Sequence, residues 1–121
     1  MVLYSAADLL WATKIKSTAD ALGVPCRPAR NADMLRARLN DSEVRAVLLD
    51  LEAPEQAWEL LGVLRGPDAG ERERAATVLA WGPHVAADTL DKARELGADE
   101  VLTRGAFSAS LPGLLTRFNG G

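Results

Sequence analysis

The chain has 121 residues, of which 48% are hydrophobic and 26% charged, and this size fits one globular domain over residues 1–121. Its formal net charge of -3 argues against a nucleic-acid surface. The sequence has neither an apolar run of about 18 residues nor a basic leader, so we expect a cytoplasmic protein without a membrane segment. The single cysteine, Cys26, excludes an internal disulfide and a cysteine-based metal cluster, and we expect it to be a packing residue.

Short apolar runs alternate with segments of helical period, a pattern that is typical of a parallel sheet covered by helices. Val2 to Tyr4 predicts a first strand, and residues 8–22 predict a helix that Gly23 ends. The segment 25–29 carries two prolines, which remove ladder donors, so it suits only the edge of a sheet.

The middle of the chain continues this alternation. Asn31 is expected to cap a second helix, and a third strand is predicted over residues 46–50. Pro54 begins a third helix at a position where its missing N–H is harmless. The polar stretch 66–74 is read as a solvated loop or a helix extension.

The second half repeats the pattern. A strand over residues 76–81 is followed by a helix that Gly97 closes, and then by a strand over 99–103. Ser108 or Ser110 is expected to cap the last helix. Five strands and five helices in strict alternation predict a doubly wound, flavodoxin-like α/β sheet with strand order 2-1-3-4-5.

Asp50 is the first candidate for a functional side chain. It ends the apolar run 46–49 just where the chain turns toward a helix. Open α/β sheets place ligand-contacting groups at the carboxyl ends of their strands. The sequence therefore predicts a site centred on this carboxylate.

Two segments resemble bacterial response-regulator receiver domains of the CheY-like family. One is "VLLDLEAP", which contains Asp50, and the other is "ARELGADEVLTR", which runs up to Arg104 and is followed shortly by Phe107. The order of elements extends the resemblance over essentially the whole chain. It implies a role in two-component signalling or a phosphorelay, with Asp50 at the phosphoacceptor position.

The other positions of the phosphorylation site depart from the family pattern. Family members hold Mg²⁺ with two acidic residues at the end of the first strand, where this chain has Ser5 and Ala6. Ala80 replaces a serine or threonine, and Arg104 replaces a lysine. Asp8 lies further along and is expected to cap the first helix. The resemblance thus implies a degenerate pseudo-receiver that binds no cofactor or metal and has no catalysis of its own.

Two further groups have open interpretations. Arg104 is expected to pair with Asp50, either as a lock that occupies the space of metal and phosphate or as a residual ion pair that neutralises a buried acid. Gly82 and His84 lie at the start of the fourth predicted helix, where they are either an anion site or part of a solvent-facing turn.

The favoured function is a protein-interaction module in signalling, with a protein partner or a homodimer formed through the fourth helix, fifth strand and fifth helix. No nucleic acid and no membrane are expected as partners. One alternative is an atypical phosphoacceptor that uses Asp50. Another is a small-molecule or anion sensor in the crevice near Asp50, Gly82, His84 and Arg104. Trp11 and Trp58 are expected to be partly buried, which leaves them as rival contact residues.

Overall fold

The computed structural model describes residues 1–120, which form a five-stranded parallel sheet of order β2-β1-β3-β4-β5. The predicted fold class and strand order are confirmed. The short second strand lies at the sheet edge, as its prolines require. The strand bounds are β1 (Val2–Ser5), β2 (Cys26–Pro28), β3 (Ala46–Asp50), β4 (Thr77–Gly82) and β5 (Glu100–Thr103).

Helices cover both faces of the sheet. Their bounds are α1 (Leu9–Leu22), α2 (Ala32–Asp41), α3 (Pro54–Arg65), α4 (Glu71–Ala75), α5 (Ala87–Glu95) and α6 (Arg104–Phe118). The prediction of five helices is wrong by one, because the polar stretch forms the short α4. Its first turn closes when the Glu73 carboxylate accepts the N–H of Gly70 at 3.2 Å. Within residues 1–120, no helix is both long and apolar enough to cross a bilayer.

Side-chain caps define where three helices begin. Asp8 accepts the N–H of Trp11 at 2.9 Å, and Asn31 accepts the N–H of Met34 at 2.8 Å, so both act as predicted. The cap of α6 is Thr103, whose Oγ1 accepts the N–H of the third helical residue at 3.3 Å. This N-cap bond satisfies a donor of the first helical turn directly after β5.

The predicted caps Ser108 and Ser110 are therefore wrong, since both lie inside α6. The helix begins at Arg104, immediately after β5. Phe107 lies in the first turn of α6 and is completely buried. Its packing holds this turn on the sheet, so the helix begins before Ser108.

Two apolar cores lie on opposite faces of the sheet because successive strand side chains alternate. Helices α2, α3 and α5 cover one core, to which β3 and β4 contribute Val47, Leu49, Val78 and Ala80. Helices α1 and α6 cover the other, which contains Leu48, Leu79, Trp81 and Cys26. Asp50 has the same parity as Leu48 and so points toward the α1 and α6 side. Burial raises the pKa of Cys26 to about 11, as suits a packing residue.

The amino-terminal edge of the sheet is held together by Arg65, at the end of α3. Its guanidinium donates to the carbonyls of Gly97, Glu73 and Ala76 at 3.2, 2.9 and 2.6 Å, and to the Asp99 carboxylate at 2.9 Å. Gly97 has a φ of 110°, and a Cβ there would lie 2.8 Å from the Arg65 side chain. Close approach and backbone conformation thus both require glycine at this turn.

Candidate functional site

The carboxyl ends of the four longer strands meet at one edge of the sheet. Asp50 ends β3 at the centre, between Ser5 on β1 and the end of β4, where the register pairs it with Trp81. The loops that follow β1 and β3 cross this edge. The structure therefore brings Ser5, Asp50 and the ends of β4 and β5 to one edge of the sheet.

Backbone donors hold both oxygens of the Asp50 carboxylate. Oδ2 accepts the N–H of Ala7 at 2.8 Å, and Oδ1 accepts the N–H of Glu52 at 3.0 Å. The residue is only 3% exposed. Burial raises its pKa above the ordinary value of 3.8; the two N–H donors oppose this rise, and the carboxylates of Glu52 and Asp8 add to it.

Arg104 is held by a different acid from the one predicted. Its Nη2 lies 3.0 Å from Oε1 of Glu52, and the two side chains are 46% and 32% exposed. Within residues 1–120 the structure shows no ion pair between Arg104 and Asp50, so the predicted direct contact is wrong. The physical reason is that Asp50 is buried beneath backbone donors, whereas Glu52 extends into solvent. A contact bridged by one water stays a prediction.

An aromatic cluster lies beside Asp50. Trp81 is fully buried and stacks on Phe107, with ring centroids 4.2 Å apart and planes 9° from parallel. Trp11 of α1, which is half-buried as predicted, packs against both rings at 5.6 Å. The Trp81 Nε1 has no hydrogen-bond partner in the described part of the chain. The stack of Trp81 on Phe107 is not predicted by the sequence pattern.

The residue before Trp81 points away from this cluster. Ala80 is fully buried in the core under α3 and α5 and offers no donor. Val101 is half-buried in β5. Trp58 is also half-buried as predicted, and Lys92 lies 5.0 Å from its ring.

A shallow groove of about 410 Å³ separates the loop after β4 from the start of α6. It brings together His84 and Arg104, two of the predicted anion-site residues. The lining is Pro83, His84, Val85, Thr103, Arg104 and Gly105. Gly82 does not line it, because it is buried in β4, where a Cβ would lie 3.1 Å from Leu51. His84 lies in an exposed turn.

Three large apolar side chains at this end of the molecule are strongly exposed, which sequence reasoning missed. Leu9 and Leu10 begin α1 with 80% and 78% exposure, and Val85 follows β4 with 79%. The apolar stripe that predicts the first helix begins at residue 12 and does not include them. Adjacent exposed leucines are a feature of contact surfaces.

Solved receiver domains resemble the chain over nearly its whole length. A response regulator from Thermotoga maritima is 15% identical, with a TM-score of 0.74 and coverage of 99% of this chain and 97% of that one. The receiver domain of NtrX from Brucella abortus is 19% identical, with a TM-score of 0.76 and coverage of 98% of both chains. The chain has the receiver-domain fold.

A third similar structure is the receiver domain of a sensor histidine kinase from Pseudomonas aeruginosa, with a magnesium ion coordinated in its active-site cleft. It is 18% identical, with a TM-score of 0.75, and the match covers 99% of this chain and 97% of that one. No family model and no curated protein matches the sequence. At these identities the receiver likeness describes the fold alone.

The receiver fold implies a magnesium site at this edge, and the side chains present do not fit one. Ser5 is 5% exposed, and neither it nor Ala6 brings a carboxylate. Each nearby acid is already engaged: Asp8 caps α1, Glu52 pairs with Arg104, and Asp50 accepts two backbone N–H groups. Among residues 1–120 no three histidine, cysteine, aspartate or glutamate side chains are grouped as metal ligands.

Proposed function

We propose that this chain is a pseudo-receiver, a cytoplasmic signalling domain that binds a protein partner in one fixed state and has no catalysis of its own. The observation that carries the proposal is the Asp50 carboxylate. It is 3% exposed, and both oxygens are engaged by the N–H groups of Ala7 and Glu52. A phosphoacceptor needs one of these oxygens as a nucleophile.

The neighbours of Asp50 support the same conclusion. Phosphoryl transfer depends on positioned groups that neutralise the charge of the phosphoryl oxygens. Arg104, the nearest substitute for the family's lysine, is neutralised by Glu52. Ala80 supplies no hydroxyl to a phosphoryl group. A metal-dependent reaction at Asp50 therefore lacks its electrostatic support.

The aromatic cluster favours a single conformational state. The buried Trp81 ring fills the space between β4 and the first turn of α6, where it stacks on Phe107. Close-packed interiors resist partial displacement, so this stack holds α6 on the sheet. We propose that a partner recognises the surface of α5, β5 and α6 in this one arrangement, through a heteromeric contact or a homodimer.

Intact-protein mass spectrometry after treatment with acetyl phosphate and Mg²⁺ tests the proposal. We expect no added phosphoryl group, whereas a receiver domain with a complete acidic site, treated in parallel, gains one. The matched control is Asp50→Ala. A stoichiometric phosphoryl adduct on the wild-type chain that Asp50→Ala abolishes would contradict the proposal and establish the atypical phosphoacceptor instead.

A second candidate function is an anion sensor, favoured by the groove that holds His84 and Arg104. Thr103 lies at the same place, although its hydroxyl oxygen is engaged with the N-terminal turn of α6. Glu52 opposes an anion there, because it already pairs with Arg104. A thermal-shift series with phosphate, sulfate and nucleotides tests this function. If the chain is an anion sensor, one of these anions should raise the melting temperature of the wild type, and both His84→Ala and Arg104→Ala should abolish this rise.

A further inference from the structure

Strand β2 forms an edge that is closed to backbone pairing. It has only three residues, and Pro28 contributes no N–H. The Pro28 carbonyl accepts a hydrogen bond from Nε of Arg38 at 3.3 Å. An incoming strand would thus find few free backbone groups here, and a partner would have to be recognised through side chains.

Three arginines surround this edge. Arg27 and Arg30 are exposed and lie three positions apart in the chain, and Arg38 is half-buried where it contacts Pro28. None of the three forms an ion pair with a side-chain carboxylate of residues 1–120. The neighbouring cations do form ion pairs: Lys16 with Asp20, Arg36 with Asp33, and Arg45 with Glu43.

The backbone that carries these cations is held in place. The carbonyl of Arg30 accepts a hydrogen bond from the Gln56 side chain of α3, and Asn31 caps α2 in the next position. The single bond from Arg38 Nε leaves its two terminal nitrogens free to donate. Guanidinium groups on a fixed backbone are well suited to bind carboxylates by two parallel hydrogen bonds.

We propose that Arg27, Arg30 and Arg38, the β2 basic edge, bind an acidic segment of a partner protein. Charge complementarity decides the kind of partner. Residues 46–121 carry twelve acidic and seven basic residues, so this net negative part of the chain repels a long polyanion. A short acidic segment contacts the edge alone. This edge lies on the opposite side of the sheet from β5, and the inference does not depend on the state of Asp50.

Fluorescence anisotropy with a fluorescein-labelled peptide of alternating glutamate and alanine tests the proposal at low ionic strength. We expect saturable binding that weakens as salt screens the charges. The double variant Arg27→Glu/Arg30→Glu should bind at least about tenfold more weakly, since two attractions become repulsions. The control is Arg36→Glu, which reverses the charge of one arginine on the flank of α2 that faces α3 and should bind as the wild type does.

Two results would overturn the proposal: a wild-type chain that shows no saturable binding, or a control variant Arg36→Glu that loses as much affinity as the double variant. A thymidylate oligonucleotide provides the competing ligand. If it binds the β2 basic edge at least as tightly as the peptide, the partner is a nucleic acid and the assignment to an acidic protein segment is wrong. Circular dichroism confirms folding, and Arg27→Gln/Arg30→Gln replaces the double variant if that one is unfolded.

Discussion

The carboxylate of Asp50 accepts the backbone N–H of Ala7, 43 positions earlier in the chain, at 2.8 Å. With the second bond from the N–H of Glu52, this side chain joins the loop after β1 to the loop after β3. Side-chain bonds to backbone donors fix loops that would otherwise be mobile. Asp50 thus has a structural role, because it links two loops at the carboxyl edge of the sheet.

The first prediction concerns the pH dependence that Asp50 gives to stability. Burial raises its pKa in the folded state above 3.8, so the folded chain holds this proton to higher pH than the unfolded chain does. The protonated Asp50 side chain therefore adds to the free energy of unfolding. This contribution is fully present below pH 3.8 and is lost as the pH rises through the folded-state pKa of Asp50. Urea unfolding of wild type and Asp50→Asn at several pH values should show the wild type losing stability relative to the variant as pH rises. A relative gain would contradict the direction of the shift.

The second prediction is that Mg²⁺ binds poorly, since every acid near the site is engaged. Trp81 lies beside Asp50 and provides the signal in a fluorescence titration. We expect no saturable quench in the submillimolar range. The prediction fails if such a quench occurs and Asp50→Ala abolishes it.

The third prediction distinguishes the two possible partners of Arg104. Because its pair with Glu52 is partly exposed, a double-mutant cycle of Arg104→Ala and Glu52→Gln should give a coupling of about 0.2–1 kcal/mol. The same cycle with Asp50→Asn should give a coupling close to zero, since the structure shows no contact. Chemical denaturation measures both. A larger coupling to Asp50 than to Glu52 would restore the locked-switch interpretation.

The fourth prediction concerns Arg65 at the opposite end of the sheet. Its side chain is 13% exposed, and its guanidinium donates to four carbonyls as well as to the Asp99 carboxylate. Arg65→Met leaves these acceptors unpaired and should lower the free energy of unfolding by about 2–3 kcal/mol. Arg94→Met, which breaks only an exposed pair with Asp91, should cost about 0–1 kcal/mol. If Arg65→Met and Arg94→Met lower the free energy of unfolding by equal amounts, Arg65 does not hold this end of the sheet together.

The fifth prediction locates the interaction surface. Asp91 and Arg94 pair at 2.9 Å on the exposed side of α5. The double reversal Asp91→Arg/Arg94→Asp keeps a pair of opposite charges and should leave stability within about 1 kcal/mol, while it weakens partner binding or self-association. Analytical ultracentrifugation and partner capture measure the effect.

The matched control for the fifth prediction is Leu9→Ser/Leu10→Ser, which changes the exposed leucines of α1 and leaves α5 intact. Binding that survives the charge reversal but is lost in this control would place the contact on α1. Substitution of Trp58 provides the same comparison for α3.

The sequence alone determined the sheet, because its strands are predicted from hydrophobic periodicity and from prolines and glycines that interrupt regular structure. Both signals lie within short segments of the chain. Alternating apolar runs predicted all five strands and their order, and the two prolines near β2 placed it at the edge. The sequence also shows that Ser5 and Ala6 carry no carboxylate and that Ala80 carries no hydroxyl. A missing side chain cannot be restored by folding.

Only the tertiary structure decided how the remaining charged groups pair. Arg104 and Asp50 were both correctly placed at one edge of the sheet, yet the cation contacts Glu52, and backbone donors from two loops take the carboxylate. The capping of α6 by Thr103, in place of Ser108 or Ser110, follows equally from packing of Phe107 on Trp81. Side-chain contacts between distant segments depend on directions and burial that no local pattern contains, and for that reason the partners of Asp50 and Arg104 are visible only in the folded chain.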